Sequence, residues 1–162
     1  MQSLKTVVIL ALFVSAVAPA GCGGDNGNAN FSAANRSLDN SSSAKTNTEE
    51  LGLLVNLPYE PDDVIWKENQ AHKKLTAVLH FSSEDANKIA AEAATRQQPE
   101  NVTLSPEPWF HAELIAQSEM TGDDSLNGLA YAADTFFQEP YTAGRIVRIE
   151  GADYFVLELS AK

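Results

Sequence analysis

The chain has 162 residues, enough for one domain with a tail, and its 22 acidic and 11 basic residues give a net charge of −11 at pH 7. From Glu49 onward the balance is 8 − 20 = −12, and no basic cluster is longer than Lys73-Lys74. This deficit of positive charge argues against nucleic acid as a partner and against electrostatic docking on anionic lipid headgroups.

The amino terminus has the plan of a secretory signal peptide over residues 1–21. Lys5 is followed by the apolar run Val7–Val17 and then by small residues. The run is about 11 residues long, whereas a membrane-spanning helix needs about 20. We therefore expect a cleaved signal rather than a transmembrane anchor.

The end of this segment resembles the lipobox of bacterial lipoproteins. Two small residues, Ala20 and Gly21, precede Cys22, while Pro19 occupies the position that is usually aliphatic. The resemblance implies that Cys22 is lipidated, with a thioether-linked diacylglycerol and an acylated amine, so that the chain is anchored in a membrane. Since Gly23 rather than Asp follows the cysteine, it also implies the outer membrane if the organism is Gram-negative.

The use of cysteine supports lipidation. Cys22 is the single cysteine of the chain and has no partner for an intramolecular disulfide. A competing signal lies at Ala18-Pro19-Ala20, which matches the A-x-A pattern of ordinary secretory cleavage. Cleavage there would release a secreted or periplasmic protein with a free thiol, so both outcomes remain open.

A polar segment follows the cysteine. Residues 22–48 are rich in Asn, Ser, Ala and Gly and contain almost no aliphatic residues. Such a segment cannot bury enough apolar surface to offset the entropy lost on ordering, which predicts a flexible linker. The globular domain is expected over residues 49–162.

Several elements of the domain are predicted by pattern. A short apolar strand opens it near Leu51 and is followed by loops that place Trp66 against the core. Period-two alternation predicts a strand over 75–81, and Ser82 or Ser83 then caps a helix that ends before Pro99. The apolar face of this helix is expected to consist of Ala86, Ile89, Ala90 and Ala93.

Residue patterns in the carboxyl-terminal half of the domain predict another helix and a hairpin. The second helix is expected to be capped by Ser105, with Pro106 at its first position. Residues 129–139 suit either a helix or the start of a strand. Residues 144–162 predict a β-hairpin with its turn at 150–153. The fold class is therefore α+β, with an antiparallel sheet of three to four strands and two to three helices on one face.

The histidines are the candidates for chemistry. No specific catalytic motif is present, and we expect no cofactor and no metal. His80 lies where a strand meets a helix start, a place that can hold an anion. His111 could converge with His80 on a metal, with Glu113 or Asp134 as third ligand, although a locally hydrogen-bonded role is the more ordinary interpretation of a single histidine.

Aromatic residues near prolines suggest a second kind of site. Trp109 and Phe110 follow Pro108 and could line an exposed groove for a peptide or a glycan, or could cover the edge of the core. The leading hypothesis is a membrane-anchored, non-enzymatic lipoprotein that binds an envelope protein or glycan. The alternative is a small periplasmic hydrolase or ligand-binding domain that uses His80 and His111.

Overall fold

A computed structural model of the chain describes residues 43–162, which form a six-stranded sheet with three α-helices and two 3₁₀ turns. The strands are β1 Asp63–Asn69, β2 Lys74–His80, β3 Glu100–Leu104, β4 Leu126–Ala132, β5 Tyr141–Ile149 and β6 Tyr154–Ala161. The helices are α1 Thr48–Gly52, α2 Ser83–Ala94 and α3 Ala112–Thr121, and the 3₁₀ turns are Gln70–His72 and Asp134–Phe136.

The predicted signal peptide, Cys22 and most of the predicted linker lie outside the described residues. The last residues of the linker segment are part of the fold, because Lys45 forms a β-bridge with Trp66 and Asn47 caps α1. Within residues 43–162, none of the helices has the length and apolar character needed to cross a bilayer.

The sheet has the spatial order β1-β2-β6-β5-β4-β3, and all neighbouring strands are antiparallel. A 3₁₀ turn joins β1 to β2, and β4, β5 and β6 form a meander. Two helical connections carry the chain between these parts: α2 leads from β2 to β3, and α3 leads from β3 to β4. This topology leaves β1 and β3 at the two edges of the sheet.

Each face of the sheet has its own core. On one face, which we call the α2 face, Leu79, Phe155 and Leu157 pack with the apolar residues of α1 and α2. On the other, the α3 face, Val78 and Val156 pack with Phe110 and Leu114. Because alternate residues of a strand point to opposite faces, the central strands contribute to both cores.

The expected strand count and helix placement are wrong, whereas the α+β class is correct. The sheet has six strands rather than three to four, and its helices cover both faces rather than one. Strand β1 contains Trp66, where loops were expected; β3 is a short edge strand with little apolar alternation; and Gly and Ala leave the pattern of β4 ambiguous.

Two further predictions are wrong, and local interactions explain the difference. Residues near Leu51 form α1 rather than a strand, because the Asn47 side chain accepts a hydrogen bond of 2.7 Å from the amide of Glu50. The second helix begins at Ala112 rather than after Ser105. Pro108 explains the delay, since a proline disfavours helical backbone at the residue before it.

Other predictions are confirmed. The strand before Ser82 is β2, the Ser82 side chain caps α2, and the four predicted apolar residues of α2 are buried. The hairpin is formed by β5 and β6. The segment that begins at Leu129, for which a helix and a strand were both left open, forms the second half of β4 and then a 3₁₀ turn.

Candidate functional site

Cross-strand pairing places His80 next to a tyrosine on the α3 face. His80 on β2 lies opposite Asp63 of β1 and opposite Tyr154 of β6. The ring centroids of His80 and Tyr154 are 4.5 Å apart. His111, at the N-cap position of α3, approaches the same phenol ring with a centroid distance of 5.2 Å. The structure therefore brings the two candidate histidines to one tyrosine.

Two carboxylates complete this group, which we call the histidine–tyrosine cluster (Asp63, His80, His111, Glu113 and Tyr154). The hydroxyl of Tyr154 donates a hydrogen bond of 3.0 Å to Glu113, and Nδ1 of His111 lies 3.6 Å from a carboxylate oxygen of Asp63. The Nε2 atom of His111 is buried and has no hydrogen-bond partner. The cluster thus links three strands to the start of α3.

The electrostatics of the cluster keep its phenol neutral. Burial, followed by the hydrogen bond to Glu113 and the negative charges of Glu113 and Asp63, raises the pKa of Tyr154 to about 12. A phenol with this pKa retains its proton at neutral pH, so it is neither a base nor a nucleophile there. The arrangement is suited to holding α3 on the sheet.

The proposed metal ligands do not come together as a set. Among residues 43–162, no group of three or more His, Cys, Asp or Glu is placed to hold a metal ion. Glu113 is engaged with Tyr154. Asp134 begins the 3₁₀ turn whose Phe136 packs in the core of the α2 face, whereas the cluster lies on the α3 face.

The amino-terminal end of α2, beside His80, is already capped by side chains of the same chain. The Ser82 side chain accepts from the amide of Asp85 at 3.2 Å, and the acidic residues Glu84 and Asp85 lie in the first turn. These carboxylates provide the negative charge that the positive end of a helix favours. The hydroxyl of the next residue, Ser83, donates to the carboxylate of Asp153.

Trp109 and Phe110 belong to the core of the α3 face. Phe110 is buried, and the two rings contact each other edge to face with centroids 4.8 Å apart. The indole N–H of Trp109 donates to Glu107 at 2.6 Å, and the ammonium of Lys67 lies 5.8 Å from its ring. These contacts hold the two rings at the edge of the core, and Trp109 also lines a cleft of about 510 Å³ together with Lys67 and Glu107.

A cleft that the sequence did not predict lies at the other end of the sheet. It has a volume of about 710 Å³, and we call it the sheet cleft. Side chains of β3, β4 and β5 line it, together with the turn after β5; they include Asn101, Thr103, Asn127, Leu129, Tyr131 and Arg148.

Its floor combines apolar surface with groups that form hydrogen bonds. Leu129 is one of three large apolar residues that are substantially exposed in the described part of the chain. The guanidinium of Arg148 donates hydrogen bonds to the side-chain oxygen of Asn87 in α2 at 2.9 Å and to the carboxylate of Asp153 at 3.2 Å. It also lies over the ring of Phe155. An oriented guanidinium beside an exposed leucine is a typical feature of a recognition surface.

The cleft exists because α2 leaves this part of its face uncovered. Helix α2 buries the surface of the central strands, and its polar residue Asn87 reaches only as far as Arg148. Register places Asn101, Leu129 and Arg148 side by side across β3, β4 and β5. Sequence patterns provided no signal for this site, because β3 was not predicted and the segment from Leu129 suited either a helix or a strand.

Comparisons of the chain with protein-family models, with curated proteins and with solved structures gave no match.

Proposed function

We propose that the chain is a lipid-anchored, non-enzymatic binding module of the bacterial cell envelope and that its domain binds an envelope protein through the sheet cleft. The anchor is the part of the proposal that depends on Cys22 and its lipobox-like context. The polar segment after Cys22 serves as the tether between the anchor and the domain.

The observation that carries the binding role is the sheet cleft itself. Its volume of about 710 Å³ lies in the range of ligand-binding clefts, and it exposes Leu129 next to the oriented Arg148. The edge strand β3 lines one side of the cleft, and a polypeptide segment could lie along it. Its amide and hydroxyl side chains provide donors and acceptors for such a segment.

The histidine–tyrosine cluster gives less support to the alternative, a periplasmic hydrolase. Its phenol is neutral at physiological pH, one nitrogen of His111 is buried, and none of its residues lines the sheet cleft. The binding role is therefore preferred over a catalytic one.

Site-specific photocrosslinking in intact cells tests the proposal. A benzophenone amino acid is placed at Leu129 in the cleft, and at Leu53 and Met120, which are exposed elsewhere on the domain. We expect an adduct with an envelope protein from position 129 only. The purified partner should then bind the full chain and lose affinity for Leu129→Arg but not for Leu53→Arg. Equal adducts at all three positions, or no adduct at 129, would refute the role of the cleft.

A further inference from the structure

The two edges of the sheet differ in the backbone pairing that they make beyond their neighbouring strand. At the β1 edge, Lys45 and Trp66 exchange two backbone hydrogen bonds of 2.8 Å, and the Trp66 indole donates to the carbonyl of Asn47. The chain entering the domain therefore pairs with this edge at Trp66. The β3 edge has only β4 as a neighbour within residues 43–162.

Backbone geometry shows which groups of β3 face outward. The amide of Glu150 donates to the carbonyl of Asn127 at 2.9 Å, so Asn127 directs its backbone groups toward β5. Thr103 lies opposite Asn127, and in an antiparallel pair it then directs its own N–H and C=O away from β4. Asn101, two residues earlier on the same strand, does the same.

These outward groups lack the usual protection. Natural sheets block open edges with lysine, proline or a bulge, because a free edge pairs with other chains. Strand β3 itself contains no lysine, proline or bulge, although Pro99 immediately precedes it, and its residues Glu100, Asn101 and Thr103 are exposed. By contrast, the β1–β2 end of the sheet carries Lys45, Lys67, Lys73 and Lys74.

Charge indicates what kind of strand would pair there. Between Arg96 and Arg145 the chain has no Lys or Arg. The acidic residues of that stretch are Glu100, Glu107, Glu113, Glu119, Asp123, Asp124, Asp134 and Glu139. Edge-to-edge pairing with a second copy would bring the two Glu100 side chains close together, and each domain carries an excess of acidic residues, so this pairing is disfavoured by like-charge repulsion.

We infer that the partner of the sheet cleft contributes an extended basic segment, which adds to β3 as a seventh strand. This inference rests on the proposed function and specifies the chemistry of the partner. The segment pairs with the backbone groups of Asn101 and Thr103, and its alternate side chains enter the cleft toward Leu129. Its basic residues alternate with these and lie on the α3 face of the sheet, beside the carboxylate of Glu100.

The test uses the full chain in detergent micelles and two labelled eight-residue peptides. One peptide alternates Lys with Val and Thr, and in the other each Lys is replaced by Glu. We expect fluorescence anisotropy to show binding of the Lys peptide at least about tenfold tighter than that of the Glu peptide, with an affinity that falls as salt is raised. Hydrogen–deuterium exchange should slow at the amides of Asn101 and Thr103 when the Lys peptide is added.

A proline variant with a matched control separates backbone pairing from side-chain contact. Asn101→Pro removes an outward N–H that β4 does not use, whereas Asn101→Ala removes only the side chain. We expect the first to weaken Lys-peptide binding about tenfold and the second less than about threefold. If Asn101→Pro does not fold, Thr103→Pro removes the next outward N–H on the same edge.

The outcomes distinguish this inference from the proposed function. If the crosslink from position 129 persists but the β3 amides stay unprotected and both peptides bind alike, strand addition is refuted and the cleft remains a binding site. If position 129 gives no adduct, while the Lys peptide protects β3, the strand-addition site stands without the cleft. A chain that is dimeric, and becomes monomeric on Asn101→Pro, would assign the edge to a second copy and refute a basic partner.

Discussion

The hydroxyl of Tyr154 donates a hydrogen bond of 3.0 Å to the carboxylate of Glu113, and this contact joins the central strand β6 to the first turn of α3. Tyr154 is also the residue on which His80 and His111 converge. A tyrosine that the sequence did not single out is therefore the centre of the cluster.

Removing this hydroxyl should destabilise the domain. We expect Tyr154→Phe to lower the free energy of unfolding by about 1–2 kcal/mol, because a hydrogen bond from a mostly buried phenol to a charged group is lost. Urea unfolding followed by circular dichroism measures the change. Tyr59→Phe is the matched control, since it removes a hydrogen bond of 2.7 Å to Glu92 at the surface. Equal losses in the two variants would contradict the structural role of Tyr154.

The same phenol predicts a loss of stability at alkaline pH. The folded chain keeps the Tyr154 proton up to a pKa of about 12, whereas the unfolded chain releases it near pH 10. Between these values the native state binds more protons than the unfolded state, so stability present below pH 10 is lost as pH rises toward 12. Unfolding free energies measured from pH 9 to 12 should fall less steeply in Tyr154→Phe, and identical slopes would contradict this prediction.

Gly144 is the glycine whose replacement should be most damaging. Its φ is +144°, and an added Cβ would lie 2.0 Å from the carbonyl oxygen of Glu158 and 2.9 Å from Cα of Leu159 on the neighbouring strand. Backbone atoms on β6 cannot easily yield, so Gly144→Ala should lower the free energy of unfolding by about 2–3 kcal/mol.

The control for Gly144 is Gly52, which ends α1. No atom lies within 4 Å of a Cβ added there. We expect Gly52→Ala to be neutral or to stabilise the domain by up to about 1 kcal/mol, because alanine is the better helix former. Thermal unfolding of both variants measures their stabilities against that of the wild-type chain. A Gly144→Ala variant as stable as Gly52→Ala would show that β5 and β6 can separate at this point.

Lipidation of Cys22 is tested at the amino terminus. Mass spectrometry of the mature chain from cells should find a diacylglyceryl-modified Cys22, and Cys22→Ser should move the protein from the membrane fraction to the soluble fraction. Gly24→Ala, which leaves the thiol in place, is the control and should stay in the membrane fraction. An unmodified chain that begins at Gly21 would refute the anchor and favour ordinary secretory cleavage.

Local patterns in the sequence predicted those elements that depend on neighbouring residues. Strand β2, the Ser82 cap, the buried face of α2 and the β5–β6 hairpin follow from alternation, capping and helical spacing. Strand β3 does not follow from such patterns, because an edge strand exposed to solvent carries little apolar alternation. The predicted start of α3 after Ser105 is also too early, because Pro108 disfavours helical backbone at the residue before it.

The sequence by itself determined the acidic charge, the signal-like amino terminus, the α+β class and the identity of His80 and His111 as candidates. Only the tertiary structure decided that the two histidines meet at Tyr154, and that β3, β4 and β5 leave a cleft beside an open edge. The reason is physical: composition and local spacing act along the chain, whereas cross-strand register and the reach of α2 over the sheet depend on pairings between residues far apart in sequence.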